Sequence, residues 1–420
     1  MANTAQMDAQ QLAQFRQQQA SVNNQFLGYS LVKPVAGSTL NGTSISSTTN
    51  SLKFQVSGIN GAWLRRVRVT TYGSFTYTPA ATSPTISINA VGLDGIYAGV
   101  KQTYGSSYKP TIRPIFFRLM DMLRGYGRLP YNVEPSVSDD ISVIQPVIGS
   151  TLTDYKPGGT LTSGANSFQH TFDIPMQAIH PSHPSGMLPI DTTGTVYTLE
   201  LVPNNTGLVG SDALDNVFNT NGTVTMSATV NVTFFYSDGE SLTYTQFLQP
   251  NMSAMPSAEY AEVTDTNLYA NQLIVQQLQL ALPIARIATI VVDGVSSSQF
   301  AQVGTPSSPD VGVTQYALLK GSNVNNSFIS YDSTNGGVAN YYQNFRRHYG
   351  IDLPAGVFVY DAIGANVVNP SNQAGLAFWD TSSGVWAASR VGVQVANVGS
   401  NGTPRLVTTT VVQNPAGIIK

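Results

Sequence analysis

The feature that most restricts the fold is a strict two-residue alternation in the stretch TVTMSATVNVTFFYSDG. There Val224, Met226, Ala228, Val230 and Val232 alternate with Thr223, Thr225, Ser227, Thr229 and Asn231. Successive side chains of an extended chain point to opposite faces, so this run predicts a long strand with one apolar and one hydroxyl-rich face. The same grammar recurs from about Leu31 onward in LKFQVSG, WLRRVRVTTYGSFTYTP, NSFQHTFDIP, TVYTLELVPNN, IATIVVDG, GVFVYDA and RVGVQVANVG. These are β-branched and aromatic runs bounded by Gly, Asn, Ser and Pro, the pattern of an antiparallel all-β protein. Their spacing is too irregular for a propeller, and no repeat period marks a solenoid.

Helical patterns are few. Residues 1–29 are rich in Gln and Ala and carry a narrow apolar stripe at Leu12, Phe15, Val22 and Phe26, with Gln19 in the middle and Arg16 and Asp8 as the only charges. This predicts an N-terminal helical arm that packs on its own domain, on a neighbouring molecule or on a membrane surface. PTIRPIFFRLMDMLRGYGRLP predicts a second helix with Ile115, Phe116, Leu119, Met120 and Leu123 on one face, Gly125 as its stop, and Arg118 and Asp121 turned away. TNLYANQLIVQQLQLAL and NYYQNFRRHYG are two further helix candidates. A chain of 420 residues exceeds the usual size of one core. A junction near FFYSDGESL divides it into units at 30–238 and 239–420.

Only 10% of the residues are charged, against roughly 25% in ordinary soluble proteins. Ser, Thr, Asn, Gln and Gly keep the surface wet instead, and such groups can be buried between subunits when they find hydrogen-bond partners. With 20 basic and 23 acidic residues the net charge is −3, so no broad attraction to phosphate backbones exists and direct nucleic-acid binding is not expected. The absence of cysteine excludes disulfides and thiol chemistry. The N-terminus lacks the apolar core of a signal peptide, and LQLALPIARIATIVV is interrupted by Pro283 and Arg286. Neither conventional secretion nor a membrane-spanning helix is expected.

Few groupings suggest chemistry. His180 and His183 in HPSHP have ligand-like spacing, but flanking prolines mark a loop and no carboxylate follows before Asp191. Asp139 and Asp140, with Glu134 and Asp154 nearby, could hold calcium or act as glycosidase carboxylates, and read better as a solvated loop. No nucleophile elbow and no phosphate-binding glycine loop is present. In RRVR, a regular pleat puts Arg66 and Arg68 on one face while Val67 and Val69 face the core, the pattern of an edge or interface strand. Arg346, Arg347 and His348 are open to three readings: an anion site, a catalytic histidine with helpers, or a structural clamp in an assembly. No cofactor or metal site is implied.

Several stretches occur in the order found in one known family: QLAQFRQQQASVNNQF, GAWLRRVRVTTYGSFT, TLTSGANSFQHTFDIPMQAIHPSHPSGMLPIDTTGTVYTLELVPNN, ARIATIVVDGV and NFRRHYGIDLPAGVFVYDAIGANVVNPSNQAGLAF. In this collinear series the chain resembles the double jelly-roll major capsid proteins of tailless, internal-membrane icosahedral bacteriophages, the tectivirus type. The loops at 139–155 and 302–313 have no clear counterpart.

The resemblance implies two eight-stranded jelly rolls in tandem and a homotrimer that looks six-sided. Such trimers tile an icosahedral virion capsid, assembled in the host cytoplasm, over an internal membrane. It further implies contacts with neighbouring capsid trimers, with penton or minor capsid proteins and, peripherally, with the membrane. The expected role is structural, not enzymatic, and Arg346 and Arg347 become expected clamp residues within the trimer. The alternative is a carbohydrate-binding β-sandwich of a phage fibre or cell surface, which needs exposed aromatic platforms from the three tryptophans, Trp63, Trp379 and Trp386.

Overall fold

The alternating run forms β12 (Thr223–Ser237), the longest partner of β3 (Trp63–Thr78); the two pair antiparallel from Thr223–Thr78 to Ser237–Trp63, with one bulge after Phe235. These strands belong to a computed structural model. It describes residues 43–46, 50–57, 63–80, 86–104, 107–108, 110–122, 160–161, 163–175, 188–189, 196–205, 207–237, 257–278, 284–319, 327–349, 352–361 and 390–414.

The remaining strands of the first half are β1 (Thr43–Ser46), β2 (Leu52–Ser57), β4 (Ile86–Ile88), β5 (Tyr97–Tyr104), β6 (Ser107–Tyr108), β7 (Thr160–Leu161), β8 (Gly164–Pro175), β9 (Leu188–Pro189), β10 (Val196–Pro203) and β11 (Phe218–Asn219). One main sheet has the order β1-β12-β3-β8, with β9 paired to β3, and the other has the order β2-β10-β5-β6. The short strands β11-β4-β7 form a third sheet. In the second half, β13 (Ser257–Asn267), β20 (Arg405–Asn414), β15 (Ile284–Val292) and β18 (Val357–Asp361) form one sheet in that order. β14 (Leu273–Gln277), β19 (Arg390–Val395), β16 (Val313–Leu319) and β17 (Ser327–Tyr331) form the other.

With β4, β7, β9 and β11 set aside, each half has eight main strands among the described residues. In both halves the sheet orders are first-eighth-third-sixth and second-seventh-fourth-fifth. That shared wiring is a jelly roll, a double-sheet fold that places strands remote in sequence side by side. Among the described residues each half also carries one α-helix between its fifth and sixth strands: α1 (Pro114–Met122) in the first and α2 (Ala339–Tyr349) in the second. The proposed junction at 238, the N-terminal arm and the loop at 139–155 lie outside the described residues.

The pleat explains the burial. Along β10 the side chains alternate half-buried and buried, with Tyr197, Leu199 and Leu201 inward. On β3, Val67, Val69, Phe75 and Tyr77 point into the sandwich, and Phe75 stacks on Phe168 with ring centroids 4.3 Å apart. The second core centres on Tyr316, stacked on Phe358 at 4.1 Å.

Two helix expectations need correction. TNLYANQLIVQQLQLAL contains no helix in its described part; it forms the end of β13, a turn and β14. Asn271 takes the left-handed conformation at φ 56° and reverses the chain there, which asparagine tolerates and a helix does not. Buried Gln276 then donates from Nε2 to the Thr264 carbonyl at 3.0 Å, Thr266 Oγ1 at 2.9 Å and the Leu406 carbonyl at 3.1 Å. Helix α1 forms as expected, but Arg118 is turned inward and buried, for the reason given below. Among the described residues no helix is long and apolar enough to cross a membrane.

Candidate functional site

The two jelly rolls meet through a buried junction built around α1 and the loop 204–222. That loop is held by side-chain amides in addition to backbone pairs such as Gly210 N–H to the Phe218 carbonyl at 2.8 Å. Asn89 Nδ2 donates to the carbonyls of Gly210 at 3.0 Å and Asn216 at 3.0 Å, and Asn204 Nδ2 donates to those of Gly95 at 2.9 Å and Asp215 at 2.8 Å. Asp212 Oδ1 accepts the backbone N–H groups of Leu214 at 2.8 Å and Asp215 at 2.9 Å. The loop thus presents Asp212 and Asp215 in fixed positions toward the second half.

Arg405, at the start of β20, receives them. Its Nη2 lies 2.9 Å from Asp212 Oδ1 and 2.7 Å from Asp215 Oδ2, and its Nη1 lies 2.8 Å from Asp265 Oδ2 on β13. Arg113, just before α1, adds a second cation to Asp215 through Nε at 3.1 Å and Nη2 at 2.9 Å. Burial alone would lower the pKa of Arg405, but the three carboxylates outweigh it and raise the pKa. Asn219 Nδ2 donates to Ser297 Oγ at 2.8 Å, the Ala90 N–H donates to the Ser297 carbonyl at 2.8 Å, and the Phe117 ring meets Tyr260 edge-on at 5.0 Å.

Beneath α1 lies a second charged cluster. Arg118 Nη2 stands 2.9 Å from Asp94 Oδ1 and His170 Nε2 stands 3.0 Å from the same oxygen, with all three side chains at most 5% exposed. Burial by itself would raise the Asp94 pKa, yet Arg118 and His170 together hold it below the usual carboxylate range. Burial pushes His170 down, with Asp94 opposing and Arg118 adding to the shift, so the imidazole is neutral at pH 7. A buried ion pair inside a helix interface ties that helix to specific neighbours. Here it joins α1 to the 3₁₀ turn Gly92–Ile96 and to β8.

The residues singled out from sequence fall in different places. Arg68 lies on the outer face of β3 and forks to Asp173 of β8, Nε to Oδ1 at 2.7 Å and Nη2 to Oδ2 at 2.9 Å. Arg66 is in the same strand, opposite Pro175 and Phe235. Arg346 and Arg347 lie on the exposed side of α2, and Arg346 Nε makes a loose 3.5 Å contact with Asp352, both side chains being about 70% exposed. The inner side of α2 carries Tyr341 and Phe345.

Leu12, Phe15, Arg16, Val22 and Phe26, the His180/His183 pair, and Glu134, Asp139, Asp140 and Asp154 lie outside the described residues, as do Trp379 and Trp386. Among the described residues, no group of three or more histidines and carboxylates could hold a metal. The exposed large aromatics there are Tyr72 and Tyr269, one in each half. A cavity of about 260 Å³ in the second half is lined mainly by polar groups, including Asp310, Thr314 and Asp332.

Sequence reasoning missed the Arg405 and Asp94 clusters. Their only local signal is a charged residue beside an apolar or threonine-rich strand, as in PRLVTTT and LDGIYAGV.

No protein-family model matches the sequence, and no curated protein matches it significantly. Solved structures are similar to it in fold. The STIV MCP matches with a TM-score of 0.55 at 12% identity, covering 88% of this chain and 94% of its own. A chain from the atomic structure of Sulfolobus Turreted Icosahedral Virus matches with 0.54 at 12%, covering 88% of both. One from the PBCV-1 virus capsid matches with 0.53 at 10%, covering 91% of this chain and 96% of its own. The chain has the double jelly-roll fold of these major capsid proteins.

Proposed function

We propose that this chain is the major capsid protein of an icosahedral virus and that it works as a trimer, six jelly rolls forming one near-hexagonal tile. The observation that carries this reading is the tandem pair of jelly rolls with identical wiring, joined by a buried junction. A subunit of near-neutral charge suits repeated packing, because hundreds of copies accumulate little self-repulsion. The named neighbours of the same fold are capsid proteins, and that supports the same role. The role is structural, carried by surfaces and not by a reacting group.

The finer part of the proposal rests on the sequence resemblance: a tailless bacteriophage whose shell encloses a membrane, with residues 1–29 reaching neighbouring copies and, peripherally, lipid. The narrow stripe of Leu12, Phe15, Val22 and Phe26 buries too little to stabilise an isolated helix, so the arm needs a surface to lie on. Penton and minor capsid proteins are the other proposed partners, and direct contact with the genome is not proposed.

The test is the purified full-length chain. Light scattering at several dilutions should give a trimer mass that persists, and negative-stain images should show six-sided particles. A stable monomer that forms no larger assembly would overturn the reading. Deleting residues 2–25 should leave the trimer intact and abolish closed shells.

A further inference from the structure

Among the described residues each jelly roll has an outer sheet face and one α-helix, and one of the two possible helix-on-sheet contacts is made there. The outer face of the second sheet is closed: Ala288, Ile290 and Val292 of β15 and Val407 and Thr409 of β20 are fully buried. Helix α1 and the loop 204–222 of the first half lie against it through Phe117, Asp212 and Asp215. The equivalent face of the first sheet is exposed on β3 and β12, while Thr171 and Asp173 of β8 on that face are buried. Tyr72 is 40% exposed, and Thr76, Thr225 and Ser227 are exposed around it.

The helices show the same asymmetry. In α1, Ile115, Phe116, Phe117, Arg118 and Leu119 are all buried, so no side of that stretch meets water. In α2, Tyr341 and Phe345 are buried while Gln343, Asn344, Arg346 and Arg347 are exposed. A face with a permanent cover in its own chain can be apolar. A face that stays in water until another molecule arrives has to be polar. Both uncovered faces are polar, and one lies in each half of the chain.

We propose that the exposed face of α2 in one copy docks on the open outer face of β3 and β12 in the next copy. This repeats between molecules the contact that α1 makes within one. The inference rests on the capsid reading, since it requires an assembly of copies. The contact is heterologous, with different patches on the two partners, and such contacts close into rings when the rotation allows.

The chemistry is complementary. Arg346 and Arg347 bring only donors, and the hydroxyls of Thr76, Thr225 and Ser227 can accept. The exposed Tyr72 ring offers a face on which a guanidinium can stack. On that same sheet face Arg68 is paired in its fork to Asp173. The loose 3.5 Å contact of Arg346 with Asp352 is readily exchanged for new partners.

The native chain has no cysteine, so single thiols report cleanly. Tyr72→Cys and Asn344→Cys are made separately and together in the full-length chain, and assembly is checked by light scattering. In the assembled protein each thiol should react with a maleimide about tenfold or more slowly than in the urea-unfolded chain, because an interface core excludes water. A short bis-maleimide should join Tyr72→Cys to Asn344→Cys molecules in a mixture, and should give a ladder ending at the closed ring in the double variant. Assembled protein with both thiols freely reactive overturns the docking and leaves the trimer reading standing. Protected thiols that never cross-link mean that something other than α2, such as the N-terminal arm, covers the sheet, which also overturns it. A chain that stays monomeric, with native-like stability, sinks the trimer reading and the docking with it.

Discussion

The phenol of Tyr341 holds both backbone polar groups of Val359: the Val359 N–H donates to Tyr341 Oη at 2.5 Å, and the Tyr341 O–H donates to the Val359 carbonyl at 2.6 Å. Val359 lies in β18, the edge strand of its sheet, which pairs with β15 on its other side. An open edge is a template for pairing with another chain, and here a helix side chain blocks it. Tyr342 does the same nearby, accepting the Gly356 N–H at 3.0 Å.

Replacing Tyr341 with Phe keeps the ring contacts and leaves a buried N–H and carbonyl without that partner. Each unsatisfied group costs about 1–3 kcal/mol, so a loss of a few kcal/mol is expected. Urea unfolding and amide exchange at Val359 measure it, and an unchanged midpoint with slow exchange at Val359 would contradict the edge-blocking role.

Arg405→Met should destabilise the junction between the two jelly rolls. Breaking a buried pair typically costs about 3–5 kcal/mol, and the lower end is expected because Asp215 and Asp265 are partly exposed and keep some solvation. The partner change Asp212→Asn should cost less in the Arg405→Met background than alone. Additive losses in this double-mutant cycle would show that the two residues are not coupled.

The Asp94–Arg118–His170 cluster predicts acid sensitivity with a definite sign. The folded-state pKa of His170 is depressed by burial. As pH falls through about 6.5 the unfolded chain takes up a proton that the folded chain does not, so stability declines from there downward. Asp94 is also held below its ordinary range; its contribution is present above the unfolded carboxylate value and is lost only as pH falls through its lower folded-state value. His170→Gln should therefore flatten the loss of stability between about pH 7 and 5, read from urea midpoints across that window. A mutant with the wild-type slope would move the acid-sensitive group elsewhere.

Gly73 is a point of close approach in the β3–β12 pair. A Cβ there would lie 2.3 Å from the Ser227 carbonyl oxygen and 2.5 Å from Ala228 Cα, both backbone atoms that cannot swing aside. Gly73→Ala is expected to cost at least the roughly 1–3 kcal/mol typical of overpacking. Thermal melts check this; a mutant as stable as the parent would mean that the two strands separate easily.

The sequence by itself determined the all-β class, the alternation that turns Val67 and Val69 inward and Arg68 outward, and both α-helices found among the described residues. These follow from local rules: a two-residue pleat, a helical stripe and turn residues act within a few positions of each other. It also carried, in collinear segments, a resemblance to the double jelly-roll capsid proteins whose fold the structure shares. Only the tertiary structure decided which outer sheet face is covered, why Arg118 points inward, and that Arg405 gathers Asp212, Asp215 and Asp265. A jelly roll pairs its first strand with its eighth, which sets Thr43 beside Val230, and the junction between the two jelly rolls joins Arg405 to Asp212, 193 positions apart. The turn at Asn271 failed as a sequence reading for the same reason: the apolar run after it has helix-like spacing, and its pairing with β19, more than 100 residues later, makes it a strand.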